Sequence, residues 1–285
     1  MIGNMDFYIN SRFEVSHYNI KSRKVRRNVR LAVMADLHNC MCGDGGRQLF
    51  NAIDNESPDI VIIAGDMIDA LENDPSDTMK VLKLIHEHYP MIYGMGNHEK
   101  KVMDGRYLHL IRRIFLNGLK DAGLRILSDS YKYLGDTGIK VSCLDLPIDY
   151  FGRIRDPELS VDQVKEKLGE IDTEYFNLLI AHDPQYFDTY SEYGPDLVLS
   201  GHMHGGVIRI PGLGGLVSPK LRLFPKYDAG LFEKNGTRMI ISRGLGMHTI
   251  HVRVNNSPEL VIVDIEAAGK DQIPPDSYIS GKGNG

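Results

Sequence analysis

Residues 60–69 read IVIIAGDMID. Five apolar residues, Ile60 to Ala64, run into a glycine and then a carboxylate, Asp66. So short and unbroken an apolar run fits a strand covered on both faces. The construction repeats along the chain. Leu31 to Ala35 precedes Asp36-Leu37-His38, and Met91 to Met95 precedes Gly96-Asn97-His98-Glu99. Leu178 to Ala181 precedes His182-Asp183, and Leu197 to Leu199 leads into GHMHGG at 201–206. Between the first runs, Gln48 to Glu56, Thr78 to His86 and Tyr107 to Leu119 carry apolar residues at helical spacing. This alternation predicts α/β architecture with parallel strands. After Gly201 the helical spacing fades. Strand-like pieces at Thr237 to Ser242 and Leu260 to Ile265 predict a second sheet packed on the first.

The bulk properties narrow the class. At 285 residues and 42% hydrophobic content, the chain can bury one large core without disulfide staples. No linker divides it, so one domain is expected over 29–266. A lead-in strand region at 1–28 precedes it, and a Gly-, Pro- and Ser-rich tail at 267–285 reads as a disordered end. The net charge of −5 argues against general nucleic-acid binding, which needs a basic face. Three cysteines suit a reducing compartment. No run approaches the ~20 apolar residues of a membrane helix, and the first twenty residues lack a signal-peptide core. As given, the chain reads as cytoplasmic; an anchor lying ahead of residue 1 would make it membrane-associated or exported.

The polar residues behind the five runs share one chemistry. Asp36, His38, Asp66, Asn97, His182, His202 and His204 offer carboxylate, imidazole and amide donors without thiolate. That set suits divalent Mn, Fe or Zn better than Mg. Seven donors exceed what one tetrahedral ion takes. Two divalent metal ions sharing a carboxylate, roughly 3.5–4 Å apart, account for them and can clamp a phosphate. In open α/β sheets such sites form at the carboxyl ends of strands.

In this order the motifs DxH, GDxxD, GNHE, a lone strand-end His and GHxHGG resemble the calcineurin-like metallophosphoesterase superfamily. The later stretches GHMHGGVIRIPGLGGLVSP, KYDAGLF and SRGLG are similar to its bacterial phosphodiesterase-like group. The resemblance implies a four-layer αββα sandwich of two mixed sheets flanked by helices. It implies one metal on Asp36, His38, Asp66 and His204, and a second on Asp66, Asn97, His182 and His202, with a bridging hydroxide as nucleophile. His98 would approach the phosphate as acid or charge stabiliser, and Asp69 would orient it. The protein Ser/Thr phosphatases of the superfamily carry phosphate-gripping arginines in these motifs. Here Asp69 is followed by Ala70-Leu71 and Gly96 is preceded by Met95, which argues against a protein phosphatase. The resemblance to the phosphodiesterase-like group implies a small-molecule or lipid-linked phosphodiester as substrate. A phosphomonoesterase and a non-catalytic metal-binding scaffold are the rival readings.

Other residues read both ways. Asp69 also fits a helix N-cap. Lys220 and Arg222, in the Pro- and Gly-rich stretch 211–225, and Arg243 of SRGLG are candidate substrate contacts, or else surface and connecting residues. Cys40 and Cys42 read as small loop residues, and His248 and His251 as surface histidines. Residues 107–119 fit a core helix with an exposed arginine pair, or an amphipathic element in peripheral contact with a membrane. No obligate protein partner is evident.

Overall fold

The computed structural model describes residues 7–8, 13–40, 44–71, 74–105, 109–152, 157–206, 208–210, 214–217, 223–246 and 253–269. Its strands are β1 (Glu14–Ser22), β2 (Val29–Met34), β3 (Ile60–Ala64), β4 (Met91–Gly94), β5 (Ile126–Leu127), β6 (Ser130–Tyr133), β7 (Ile139–Leu144), β8 (Phe176–Ala181), β9 (Leu197–Ser200), β10 (Gly230–Lys234), β11 (Thr237–Ile241) and β12 (Glu259–Ala267). The helices are α1 (Arg47–Glu56), α2 (Ser76–His88), α3 (Asn97–Asp104), α4 (His109–Ala122), α5 (Val161–Leu168) and α6 (Phe187–Tyr193). Phe7–Tyr8 pairs with Arg253–Val254, and Arg209–Ile210 with Gly214–Gly215, as two small ribbons.

Two six-stranded sheets form, ordered β1-β12-β2-β3-β4-β5 and β10-β11-β9-β8-β7-β6. In the first, β2 to β5 run parallel and β12 is antiparallel to β2. In the second, β11, β9, β8 and β7 run parallel with antiparallel strands at both edges. Period-two alternation sorts the side chains between layers. Leu31, Val33, Ile60 and Ile62 face Val141, Leu178, Ile180 and Leu199 between the sheets. Ala32, Met34, Val61 and Ile63 face outward onto α1 to α4. Leu179, Val198 and Met239 face α5 and α6 on the opposite side. The four-layer sandwich expected from the resemblance is what forms.

Several expectations need correction. The ligand-bearing strands are not five in succession, because β5, β6 and β7 intervene between the third and the fourth. Nor do they share one sheet: β2, β3 and β4 lie in the first, β8 and β9 in the second. The strand read at Leu260 to Ile265 does not join the second sheet. It lies inside the first, between β1 and β2, because Val261 and Val263 complete the inter-sheet core. The lead-in strand β1 is the edge beside it. The tail from residue 270, together with Cys42, Lys220, Arg222, His248 and His251, lies outside the described residues.

Helix α4 begins at His109 and turns Ile111, Phe115 and Leu119 inward. Leu110, Arg112, Arg113 and Leu116 point to solvent. It crosses α2 closely, since a Cβ on Gly118 would stand 2.5 Å from Met79 Cγ. Phe115 is fully buried and meets the Tyr93 ring edge-on at 6.4 Å. Phe115→Ala should therefore destabilise the chain by about 3–5 kcal/mol. Urea unfolding should show a lowered midpoint; an unchanged midpoint would refute this packing.

Candidate metal centre

Each ligand candidate sits directly behind a strand, where the chain must turn sharply. Asp36, His38, Asp66, His202 and His204 all have positive φ, between 47° and 69°. That region is uncommon for non-glycine residues, and such strain gathers at functional sites. All seven candidates are buried, none more than 7% exposed.

The loops lock to one another through the backbone. Asp36 N–H donates to Gly65 O at 3.0 Å, and His38 N–H to Asp66 O at 3.2 Å. Across the sheet boundary, His202 N–H donates to the Asp36 carboxylate at 3.0 Å. His98 N–H donates to Asp66 Oδ1 at 2.7 Å. A Cβ on Gly96 would stand 2.2 Å from that same oxygen, so only glycine lets the third loop approach the second.

The side chains then converge. Nε2 of His38 lies 3.1 Å from Nε2 of His204, and each is within 3.9 Å of Asp36 Oδ1. Nε2 of His182 lies 3.0 Å from Asp66 Oδ2 and 3.7 Å from Asp36 Oδ1. Its Nδ1–H donates to Ala64 O at 2.6 Å, which turns Nε2 into the pocket. Three groups of potential ligand atoms result: Asp36, His38 and His204; Asp66, His182 and His202; and His38, Asp66 and His98. His98 thus comes closer to the cluster than the sequence reading implied. Its Nδ1 lies 3.1 Å from Asp69 Oδ1 and 3.0 Å from the Ala70 amide.

Charge explains why these atoms tolerate each other. Burial pushes Asp36 up to about 7, against the pull of His182. Burial also opposes charge on Asp66, but His182 and His98 outweigh it and hold that carboxyl well below the usual range. Burial disfavours a charged His182, yet Asp66 and Asp36 lift the imidazole to about 10. For His98, Asp66 and Asp69 likewise overcome burial and raise it. Asp69 falls to about 2, since the hydrogen bonds from His98 and the Leu71 amide exceed its own burial effect. The pocket therefore draws positive charge inward, and divalent cations answer the same potential. Asn97 Oδ1 is buried without a hydrogen-bond partner, as a carbonyl reserved for a cation would be. The donor set and the potential fit divalent cations.

A calcineurin-like phosphoesterase family model matches residues 29–206, from the start of β2 to the end of the GHMHGG loop. The chain belongs to the calcineurin-like phosphoesterase family. As such it is a metal-dependent phosphoester hydrolase. An uncharacterized metallophosphoesterase of Aquifex aeolicus is 27% identical over 260 residues, 90% of this chain and 92% of its own. Phosphodiesterase YaeI of Escherichia coli is 24% identical over 211 residues, 74% of this chain and 71% of its own. TT1561 of Thermus thermophilus superposes with a TM-score of 0.45 at 9% identity, over 76% of this chain and 89% of that one. No helix among the described residues is long and apolar enough to cross a membrane.

Of the outer candidates, Arg243 is engaged by Glu14 at 2.9 Å and Glu259 at 3.2 Å, and its guanidinium braces these strand ends. Asp69 is not a helix N-cap, since the next helix begins at Ser76; it closes a turn by accepting from the Leu71 amide at 2.8 Å, and it meets His98. Gly215, from the stretch after GHMHGG, packs against the end of that loop: a Cβ on Gly206 would stand 2.9 Å from Gly215 Cα. Cys143 is buried in β7, where burial pushes the thiol up to about 12 and keeps it inert.

The sequence reading missed Glu99. Its fully buried carboxylate accepts from the amides of Asp66 at 2.8 Å, Met67 at 2.8 Å and Gly96 at 3.0 Å, and from Tyr93 Oη at 2.8 Å. One side chain thereby ties two ligand loops to the core. Its place three residues after Gly96 was the available signal, since a helix N3 glutamate often reaches back to the cap. Glu99→Gln replaces an acceptor oxygen with a donor that faces amides. It should cost about 1–3 kcal/mol in unfolding of the cation-free chain and weaken cation retention; unaltered unfolding and retention would count against this role.

Ligating imidazoles must give up protons. His182 is raised before loading, so cation affinity should tighten between about pH 6 and 9 with proton release. Calorimetric titration in two buffers of different ionisation enthalpy measures this. A pH-independent affinity would contradict it.

Proposed function

We propose that the chain hydrolyses phosphodiesters at a centre of two divalent cations, Mn, Fe or Zn in preference to Mg. One would be held by Asp36, His38, Asp66 and His204, the other by Asp66, Asn97, His182 and His202. The observation that carries this reading is the position of Asp66. Its Oδ2 lies between His182 at 3.0 Å and His38 at 3.9 Å, where one carboxylate reaches both groups. Bound there, the cations would lower the pKa of a coordinated water and withdraw charge from the phosphoryl group.

The chain's own residues supply the rest. Asp36 and Asp66 fix the spacing of the imidazoles. His98, buried and turned by Asp69, is the proton donor to the leaving oxygen as the bond from water to phosphorus forms. The Asp69 carboxylate, kept ionised, supports the charged imidazole until that transfer. Hydrolysis then leaves a phosphomonoester and an alcohol.

A diester is favoured over a monoester on charge. A monoester carries a further negative charge at neutral pH. The motif positions that supply gripping arginines in protein phosphatases hold Ala70 and Met95, and Arg243 is committed to two glutamates. The relative named phosphodiesterase YaeI supports the same choice. Lipid-linked and nucleotide-linked diesters are the two classes to assay, and the comparison of a bis-aryl with a mono-aryl phosphate is the direct test. Preference for the mono-aryl substrate would overturn the diester reading. Absence of turnover with Mn, Fe, Zn and Mg while two ions are bound would favour the scaffold.

Asp66→Asn should abolish turnover and lower the bound cation content. His98→Ala should keep both cations and lose about 10²–10⁴-fold in kcat. Loss of a cation in His98→Ala, read by elemental analysis, would reassign His98 as a ligand.

A further inference from the structure

The last ligand histidine is gripped from the far end of the chain. Arg253 is 3% exposed. Its Nη1–H donates to Arg243 O at 2.7 Å. Its Nη2–H groups reach Gly244 O at 3.2 Å and Gly246 O, and Nη2 lies 3.5 Å from Nδ1 of His204. Three residues on, the buried Asn256 donates from Nδ2 to His204 O at 2.7 Å and to Gly206 O.

These acceptors belong to two loops. Residues 201–206 follow β9 and carry His202 and His204. Residues 242–246 follow β11 and lie against the Asp36 turn. Leu245 N–H donates to Ala35 O at 3.0 Å, and Gly246 N–H to Asp36 O at 2.7 Å. A Cβ on Gly244 would stand 2.7 Å from Asp36 Cβ, and one on Gly246 2.0 Å from Leu37 O. Asp36 and His204 come from different sheets yet share one candidate cation group. Arg253 braces the loop that supports Asp36, and its guanidinium packs beside the ring of His204.

We propose that Arg253 and Asn256 are positioning residues for the Asp36–His38–His204 group: they set the backbone and ring of His204 against Asp36 before a cation arrives. The inference rests on the two-cation reading. The planar, multi-donor fork of arginine suits this task, and the single ammonium of lysine does not. Asn256 bonds the carbonyl of a residue with φ of 51°, a conformation uncommon outside glycine. The group of Asp66, His182 and His202 is linked to Asn256 through the backbone of the loop that carries His202 and His204.

The test is Mn(II) titration of the full chain, followed by calorimetry and by electron paramagnetic resonance. The wild type should take up two ions as a coupled pair. Arg253→Lys should lose about 10–100-fold in affinity at one site only, the scale for residues that orient ligands. The pair signal should give way to that of an isolated ion at one equivalent. Asn256→Ala should act in the same direction and guards against a folding defect in the arginine variant, which circular dichroism reports. Combined with Asp36→Asn, Arg253→Lys should add no further loss; combined with Asn97→Ala, the losses should add. Two tightly bound, coupled ions in both variants would overturn the inference alone, as would equal weakening of both sites, the mark of a merely structural role. A wild type that binds no Mn(II) would overturn the two-cation reading along with it.

Discussion

An ionised carboxylate taken out of water is destabilised by several kcal/mol unless charges and donors replace its hydration. Asp66 is 1% exposed, and its surroundings supply that replacement. The His98 amide donates to one oxygen and the His182 ring faces the other. The glutamate behind it, Glu99, takes up the backbone amides of the same turn. Because these partners come from two other loops, after β4 and β8, none can move without exposing a buried charge. The centre is therefore built as one unit, with the candidate ligand atoms held together before any cation enters.

The position of that unit follows from the layers. Apolar faces of two sheets pack together along their length, and their parallel strands end at the same rim. Loops after β2, β3 and β4 meet loops after β8, β9 and β11 there. The amide of His202 on the Asp36 carboxylate, the Gly246 amide on Asp36 O and the His182 ring on Ala64 O join the halves. Positive φ at five ligand candidates is destabilising by about 1–3 kcal/mol each in general terms. The large inter-sheet core supplies the stability that lets such turns persist.

Legibility varied with how local the signal was. Ile60–Ala64 is apolar throughout, and Leu197–Ser200 is apolar up to its last residue, because both faces are covered, so a short window suffices to recognise them. β7 was not recognised, although it is central and fully buried. Its Lys140 and Ser142 interrupt the apolar pattern. The structure shows the Lys140 ammonium over the Tyr131 ring at 4.3 Å, an arrangement that no window of sequence contains. Arg243 looked like a free cation beside a site until Glu14, more than two hundred positions away, was found against it. Arg253 drew no attention, since its acceptors are backbone carbonyls and these leave no trace in residue identity.

Taken by itself, the sequence determined the candidate donors, their order and the family. Side-chain chemistry is written residue by residue, and a strand covered on both faces announces itself in five positions. Tertiary structure alone decided which sheet each strand joined, how near His98 stands to the ligands, and that Glu99, Arg253 and Asn256 hold the loops. Those outcomes depend on partners distant in the chain and on burial, which sets the energy of a charge or a hydrogen bond and exists only once the layers have packed.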